Sequence, residues 1–200
     1  MHRFSTPLLP THGQSDQLGE GAFGVVCLAR HKHAHTDAES WSKVAVKICR
    51  PNALDLNAAP NGDIQNLDDL QRYCQEVRAL TKLRKASART TPVMHMYEYF
   101  LDGSDFYVVS ELLQSPLDEW RDSVNECTEK NAIDIARTIL KGLEYIHSRG
   151  VVHRDIKPAN ILFRENGDFR SLKICDFGLA RVLGQHEQVT DLCGSPGYIA

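Results

Sequence analysis

The sequence predicts an α+β fold in which a strand-rich region precedes a mainly helical one. Val-rich runs separated by turn residues extend from Gln17 to Arg50 and are typical of β-strands. Two later segments place apolar residues every three or four positions, which is the spacing of a helix with one buried face. The chain has 200 residues, enough for one large domain or two small lobes.

The composition argues against several classes of protein. A hydrophobic content of 42% and a charged content of 24% are ordinary for a soluble globular protein. The net charge of −3 gives no electrostatic reason to expect nucleic acid as a partner. No segment has the apolar length of a membrane span or of a signal peptide core. The six cysteines are scattered without a CxxC pair, which favours reduced thiols and a cytoplasmic or nuclear location.

The elements can be assigned in chain order, beginning with a flexible tail at residues 1–15. Strand patterns in LGEGAFGVVCLARH and KVAVKIC flank a polar loop that contains HKHAH. The three His of this loop could hold a metal ion. A solvated hairpin loop is the favoured interpretation, because no Cys or carboxylate stands at ligand spacing.

A loop rich in Pro, Asn and Gly leads to the first helix, after which two strands meet at a turn around Asp102 and Gly103. The apolar face of the first helix is expected at Leu70, Cys74, Val77, Leu80 and Leu83. The second helix is closed by Gly150 and carries Ile133, Ala136, Ile139, Leu140, Leu143 and Ile146. A short strand before Asp176 and a polar loop ending in CGSPGYIA complete the chain.

Three glycines, Gly19, Gly21 and Gly24, have the spacing GxGxxG. Alone this pattern is weak evidence, because Gly-rich hairpins and dinucleotide sites share it. A dinucleotide site continues into a helix, whereas here Val25 and Val26 continue as a strand. A glycine loop between two strands can lie over a nucleotide, since without a Cβ the backbone approaches phosphate closely.

Two charges follow the glycine loop. Lys47 ends the strand VAVK, and Glu76 lies in the first helical stripe. Each could be an ordinary surface charge. In this order they indicate instead an ion pair that positions the lysine on the α- and β-phosphates of a nucleotide.

The segment VVHRDIKPANILF concentrates polar chemistry between two apolar ends. Asp155, Lys157 and Asn160 would supply a base, a counter-charge and a metal ligand from one short loop. Phosphoryl transfer needs such positioning and positive charge more than it needs covalent chemistry.

The chain resembles a eukaryotic protein kinase of the Ser/Thr type, because GEGAFGVV, VAVK, HRDIKPAN and DFG occur in that family's order. The resemblance implies a bilobal protein-kinase-like fold, with an antiparallel sheet and one main helix in an N-lobe at residues 16–110. A hinge and a partial, mostly helical C-lobe would occupy residues 111–200. The family usually continues beyond GYIA, so the chain is interpreted as a C-terminally truncated fragment, unstable and close to inactive alone.

The resemblance implies ATP and Mg²⁺ as cofactors. Asp155 would accept the proton of the substrate hydroxyl, Lys157 would neutralise charge on the γ-phosphoryl group, and Asn160 and Asp176 would hold Mg²⁺. Further contacts with the nucleotide are expected from Leu18, Gly19, Glu20, Gly21, Ala22, Phe23, Gly24, Val25, Val26, Ala45, Lys47, Glu111, Leu113 and Leu162. The ribose contact stays unassigned, because Pro116 stands near the place where relatives often have an acidic residue.

Two packing roles also follow from the resemblance. Ser195 is expected to bridge Asp155 and Lys157, an arrangement of Ser/Thr kinases; a proline-directed phosphorylation site is the alternative, because Pro196 follows. An apolar column linking the lobes is expected from Leu80, Met96, His153 and Phe177.

The segment after DFG suggests regulation. Relatives with an Arg before the catalytic Asp, here Arg154, are often controlled by a phosphate on this segment. Asp191 stands at the usual phosphoacceptor position with Thr190 beside it. We therefore expect partial activity without modification and a rise when an upstream kinase phosphorylates Thr190. An ordinary polar loop is the alternative.

The adenine pocket is expected to have free space. Ser110 stands where relatives usually carry a bulkier residue behind the adenine. Cys175 is expected either to line the same cavity or to be a buried, inert thiol.

Three functions are compatible with these features. The first is a Ser/Thr kinase that transfers the γ-phosphoryl group of MgATP to a protein hydroxyl. The second is a pseudokinase or scaffold module that binds nucleotide and partners without transfer, although pseudokinases typically lose the Lys or one of the two Asp. The third is a small-molecule kinase of related fold, a class that generally lacks HRDxKPxN together with DFG.

Overall fold

The computed structural model describes residues 17–21, 24–30, 43–49, 64–84, 91–103, 105–184 and 187–199. The predicted tail, the polar loop with three His and most of the loop before the first helix lie outside these residues. The chain divides into two compact units. The first comprises Met1–Leu70 and Met96–Leu112, and the second comprises Gln71–His95 and Leu113–Ala200.

The first unit contains an antiparallel sheet that, in the part of the chain described, has five strands in the order β1-β2-β3-β5-β4. These are β1 (Gln17–Gly21), β2 (Gly24–Arg30), β3 (Lys43–Cys49), β4 (Met96–Asp102) and β5 (Asp105–Glu111). The strands expected from the sequence are therefore confirmed, as is the turn at Gly103, whose φ is +60°.

The sheet is stabilised by side chains from its central strands. Ala29, Val44, Val46, Ile48 and Val109 form a buried apolar cluster. The most central strand, β3, is nearly continuous in apolar residues, and Val44, Ala45, Val46 and Ile48 are buried.

The second unit is mainly helical, so the predicted α+β class is confirmed. Its helices are α1 (Ile64–Leu83, in this unit from Gln71 onward), α2 (Leu117–Ser123) and α3 (Glu129–His147). Two short antiparallel pairs join β6 (Val151–Val152) to β9 (Arg181–Val182), and β7 (Ile161–Phe163) to β8 (Leu172–Ile174). None of the helices in the described ranges has the length and hydrophobicity that a membrane span requires.

The position of α1 bears on the lobe boundaries. The sequence predicted this helix in the N-lobe with the sheet, whereas its residues from Gln71 onward belong to the second unit. The division at residues 16–110 and 111–200 stays a prediction.

The buried face of α1 differs from the predicted one. Leu70 and Cys74 are exposed, so their assignment to the buried face was wrong. Val77, Leu80 and Leu83 are buried as predicted, and Glu76 is buried in the stripe where the sequence placed it. Tyr73 completes this face. These positions still keep the three- and four-residue spacing of a helical stripe.

Helix α3 has the ends that its sequence encodes. The Oγ of Thr128 accepts a hydrogen bond from the Asn131 N–H at 3.2 Å, which caps the N-terminus. After the last turn, Gly150 adopts a φ of +62° and donates its N–H to His147 O at 2.9 Å. The predicted closure by Gly150 agrees with this geometry.

Only part of the apolar stripe of α3 is buried. Ile146 is 0% exposed, and a Cβ on the buried Gly142 would lie 2.6 Å from Ile174 Cδ1 of β8. Leu140 is 64% exposed and Ile133 is also exposed. Packing of this outer face against further helices stays a prediction.

Replacing Ile146 by Ala should lower the free energy of unfolding by about 2–5 kcal/mol, because it leaves a cavity in a closed core. Urea denaturation of the purified protein measures this change. Leu140→Ala, on the exposed face of the same helix, should change stability by less than about 1 kcal/mol. Equal losses in the two variants would contradict the burial described for α3.

Candidate active site

The glycine-rich segment spans the end of β1 and the start of β2. Gly21 pairs with Gly24, whose φ is +129°. A Cβ on Gly24 would lie 2.2 Å from Ile48 O, so only glycine allows β2 to approach β3 here. A Cβ on Gly19 would meet nothing within 4 Å. Ala22 and Phe23 lie outside the described residues.

The other predicted nucleotide contacts of the first unit lie on its strands. Leu18 and Glu20 are exposed on β1, whereas Val25 and Val26 are half-buried on β2. In β3, Lys47 pairs with Val26 across the ladder. Glu111 is buried at the end of β5.

Two small residues lie side by side in the sheet. Ser110 of β5 pairs with Ala45 on one side and with Met96 on the other. Its Oγ donates to Ala45 O at 3.5 Å and to Glu111 O at 3.4 Å. Ser110 and Ala45 thus combine little side-chain volume at the predicted adenine contact.

In the second unit, three residues contact the carboxylate of Asp155: Lys157, Asn160 and Ser195. Asp155 Oδ1 accepts a hydrogen bond from the Ser195 N–H at 2.9 Å. Asp155 Oδ2 lies 3.0 Å from both Lys157 Nζ and Asn160 Nδ2. Lys157 Nζ also donates to Ser195 Oγ at 2.6 Å. The predicted bridge by Ser195 is therefore confirmed.

This arrangement keeps the Asp155 carboxylate ionised. Burial raises the pKa of Asp155, but hydrogen bonds from Ser195, Lys157 and Asn160, with the charge of Lys157, outweigh it. The pKa of Asp155 therefore lies below its ordinary value. At neutral pH the carboxylate is therefore ionised, and its donors hold it in one orientation.

His153 connects the loop of Asp155 to the segment that carries Asp176. Its Nδ1 accepts the Asp155 N–H at 3.2 Å, and its Nε2 lies 2.8 Å from Cys175 O. Burial lowers the pKa of His153. A neutral ring with its proton on Nε2 satisfies both contacts.

The predicted apolar column is shown in part. The rings of His153 and Phe177 meet edge to face, with 4.8 Å between centroids. Leu80 and Met96 are each buried, and stacking of all four residues stays a prediction.

The candidate metal ligands lie on connected segments. The Cys175 N–H donates to Asn160 O at 2.9 Å, which ties the turn of Asn160 to the residue before Asp176. Nδ2 of Asn160 donates to Asp155, so Oδ1 is the atom that could bind a cation. Within the described ranges no cluster of three or more His, Cys, Asp or Glu could hold a metal. Mg²⁺ fits the pair nevertheless, because it binds through one or two carboxylates together with substrate phosphates and waters.

Several predicted contacts are placed individually. Leu162 of β7 and Leu113 are half-buried. Glu76 is buried on α1 and Lys47 is half-buried on β3, and the ion pair between them stays a prediction.

Comparison with known proteins decides the family. Residues 13–200 match the model of the protein kinase domain. The chain belongs to the protein kinase family. The kinase fold expected from the sequence is therefore confirmed.

Several curated kinases are similar to this chain. Mitogen-activated protein kinase hog1 of Trichoderma harzianum is 37% identical over 202 residues, covering 98% of this chain and 48% of the relative. Calcium/calmodulin-dependent protein kinase type 1 of Macrobrachium nipponense is 32% identical over 188 residues, covering 92% and 47%. CDPK-related kinase 5 of Arabidopsis thaliana is 31% identical over 199 residues, covering 98% and 30%. The chain thus spans half or less of the length of these relatives.

The sequence did not predict a role for two charged residues of this kinase domain. Arg181 of β9 binds Asp191 at 2.8 Å and Glu187 at 3.1 Å. Neither Arg181 nor Glu187 belongs to a motif used above. The only available signal was that two acidic residues, Glu187 and Asp191, share a segment with a nearby Arg.

Replacing Lys157 by Met should raise the pKa of Asp155, because the carboxylate loses a hydrogen bond and a neighbouring positive charge. The ¹³C chemical shift of the Asp155 carboxyl group, followed through an acid titration, measures this pKa. Lys141→Met, which removes an exposed charge from α3, serves as the control and should leave the titration unchanged. An unaltered Asp155 pKa in Lys157→Met would contradict the arrangement.

The same pairing has a consequence for stability. An Asp whose folded pKa is depressed stabilises the fold above its unfolded pKa, and the contribution is lost as pH falls through the folded value. Lys157→Met should therefore weaken the dependence of unfolding free energy on pH in the acid range.

Proposed function

We propose that the protein is a Ser/Thr protein kinase that transfers the γ-phosphoryl group of MgATP to a hydroxyl of a protein substrate. The observation that carries this proposal is the convergence of Lys157, Asn160 and Ser195 on the carboxylate of Asp155. Membership of the protein kinase family supports the same reaction.

Asp155 accepts the proton of the substrate hydroxyl in this proposal. Its carboxylate is ionised because three donors stabilise the charge. The same donors fix its direction, and orientation of the reacting groups is a large part of catalysis in phosphoryl transfer.

Lys157 supplies positive charge beside the carboxylate. Its Nζ lies 3.0 Å from Asp155 and 2.6 Å from Ser195 Oγ, so the ammonium group is held at the acceptor end of the reaction. A fixed cation there counters the negative charge that develops during transfer.

Asn160 and Asp176 are the residues that would hold Mg²⁺, through an amide oxygen and a carboxylate. When bound there, the ion would neutralise negative charge on the phosphates. In the protein, the bond from the Cys175 N–H to Asn160 O keeps the two ligands on connected segments.

The nucleotide is proposed to contact residues of the glycine turn, the neighbouring strands and β7. Open space over Gly19 and the glycine required at position 24 agree with a backbone that approaches phosphate. Lys47, oriented by Glu76, would bind the α- and β-phosphates. Adenine and backbone contacts are assigned to Val26, Ala45, Glu111, Leu113 and Leu162.

The substrate class and the partners are further parts of the proposal. A Ser or Thr acceptor is favoured by the bond between Ser195 and Lys157. It is also favoured by the mitogen-activated and calmodulin-dependent kinases among the relatives. Thr190 is exposed and available to an upstream kinase. A cytoplasmic or nuclear location is proposed from the scattered thiols alone.

In a complete version of the protein, extended beyond Ala200, replacing Lys47 by Met or Asp176 by Asn should lower phosphotransfer by about 100-fold or more, because pre-organised charge at the phosphates is lost. Transfer of radiolabelled phosphate from ATP to a basic protein substrate measures the effect. Lys141→Met should keep wild-type activity. A near-normal rate in either site variant would refute the assignment, and transfer absent from the extended wild type would favour a pseudokinase.

Ser110 should permit use of ATP analogues enlarged at the adenine amine. Together with Ala45 it leaves space that a larger side chain would fill. The ratio of kcat/KM for an N⁶-benzyl analogue to that for ATP measures this selectivity. Ser110→Met should abolish use of the analogue but not of ATP. Rejection of the analogue by the wild type, with no gain in Ser110→Gly, would contradict the prediction.

A further inference from the structure

A polar groove lies in the second unit, between helix α3 and the two segments 91–92 and 170–173. It has a volume of about 770 Å³. None of the residues that contact the Asp155 carboxylate lines it. This groove, called the α3 groove below, is therefore separate from the candidate active site.

The floor of the α3 groove is fixed by backbone contacts. Val93 and Ile174 form a parallel bridge, and the Ile174 N–H donates to Pro92 O at 3.1 Å. Helix α3 lies close to this floor because Gly142 has no side chain. A Cβ on Gly142 would lie 3.3 Å from Pro92 O.

The helical wall of the groove is held in place by Tyr145. Its hydroxyl group donates to Leu83 O at 2.7 Å, which ties α3 to the end of α1. The guanidinium carbon of Arg149 lies 3.7 Å from the centroid of the Tyr145 ring. The wall therefore needs little reorganisation to receive a ligand, and such pre-organisation favours binding.

Cations outnumber carboxylates along the groove. The carboxylates are Asp134 and Glu144, and the cations are Arg137, Lys141, Arg170 and Lys173. Asp134 is already neutralised, because its Oδ1 lies 2.9 Å from Arg137 Nη1. The chain as a whole carries a net charge of −3, so the groove is opposite in sign to the rest of the molecule.

Two of these cations are placed to contact a ligand. Lys141 is exposed on α3, and Arg170 is exposed on the segment that precedes β8. Lys173 is only 2% exposed and contributes charge rather than contact. Burial lowers the pKa of His95, and the positive charges of Arg84 and Lys173 lower that pKa further. The local potential beside the groove is therefore positive.

The lining also indicates the class of ligand. Small-molecule sites are mostly apolar, whereas this groove combines charges with the hydroxyl groups of Thr138, Ser148 and Ser171. A nucleic acid presents a continuous row of phosphates, which would bring negative charge against Glu144.

An extended peptide avoids that conflict. Its side chains on one face are about 7 Å apart, so separate carboxylates can reach Lys141 and Arg170 while a neutral residue faces Glu144. Protein kinases act on proteins, so a protein segment is also the partner class that the family favours.

We propose that the α3 groove is a docking site for an acidic, extended segment of a partner protein, whose carboxylates bind Lys141 and Arg170. Binding there requires neither ATP nor phosphotransfer, so it goes beyond the proposed function. A basic protein substrate lacks such a segment, and loss of Lys141 therefore leaves transfer to that substrate unchanged.

The test uses the complete version of the protein, extended beyond Ala200, and a fluorescein-labelled peptide in which Glu alternates with Ser. Fluorescence anisotropy measures its Kd. Peptides with Gln or Lys in place of Glu are the matched probes. The variant reverses both groove charges, Lys141→Glu with Arg170→Glu. The control reverses two exposed charges outside the groove, Arg121→Glu with Lys130→Glu.

Reversing the groove charges should weaken binding of the Glu peptide by about tenfold or more. Each exposed ion pair contributes up to about fivefold in affinity, and reversal adds repulsion. The control variant should bind like the wild type, and the Gln peptide should bind the wild type about tenfold more weakly than the Glu peptide does. The Lys peptide should bind the reversed variant more tightly than the wild type, a gain that a misfolded protein would not show.

NMR locates the bound peptide. The Glu peptide should shift the backbone amide resonances of Lys141 and Arg170. Resonances of Arg154 and Arg181, the arginines that lie near Asp191, should stay in place.

Several results would overturn the docking site. These are an unchanged Kd in the reversed variant, no gain for the Lys peptide, or resonance shifts at Arg154 and Arg181 instead of the groove. Single-stranded RNA that binds more tightly than the Glu peptide, and is lost in the reversed variant, would assign the groove to nucleic acid. If the extended wild type binds the peptide as described but transfers no phosphate, the docking site stands and the kinase function fails.

Discussion

The second unit depends on the hydrogen bonds that stabilise one nearly buried carboxylate. Asp155 is only 7% exposed, and a charge at that depth is unfavourable unless donors replace its water. Lys157 and Asn160 are near it in sequence, but the third donor is the backbone of Ser195, forty residues further on. The fold must therefore return the chain to the loop of Asp155, and the segment before Ser195 is constrained by that requirement.

The sequence predicted those parts of the arrangement that depend on neighbouring residues or on a family motif. The strands and the glycine turn follow from local composition, and the charged loop from five polar residues within eight positions. The contact of Ser195 with Asp155 and Lys157 was predicted from family resemblance, because no local rule links residues so far apart. Their partners in the structure agree with that expectation.

The remaining features depend on tertiary packing that spacing alone does not determine. In α1 the stripe of Leu70 and Cys74 competes with one only a residue away, and the buried face includes Tyr73 and Glu76. Spacing placed Glu76 and Val77 correctly on the buried face, and it failed only in choosing Leu70 and Cys74 over Tyr73. Arg181 and Glu187 were not predicted because an isolated charge is usually solvated, and only the fold shows which partner it meets.

Backbone geometry explains how so many contacts converge on one short loop. Arg154 has a φ of +69° and Asp176 a φ of +56°, a conformation that costs side chains other than glycine of order 1–3 kcal/mol. Each residue flanks the bridge that His153 makes between the Asp155 N–H and Cys175 O. The left-handed turn at Arg154 lets the neighbouring side chains diverge. His153 is directed to the core, Arg154 to Asp191, and Asp155 to its three donors. The buried His153 bridge holds both turns, and its two hydrogen bonds offset part of the strain that this divergence requires.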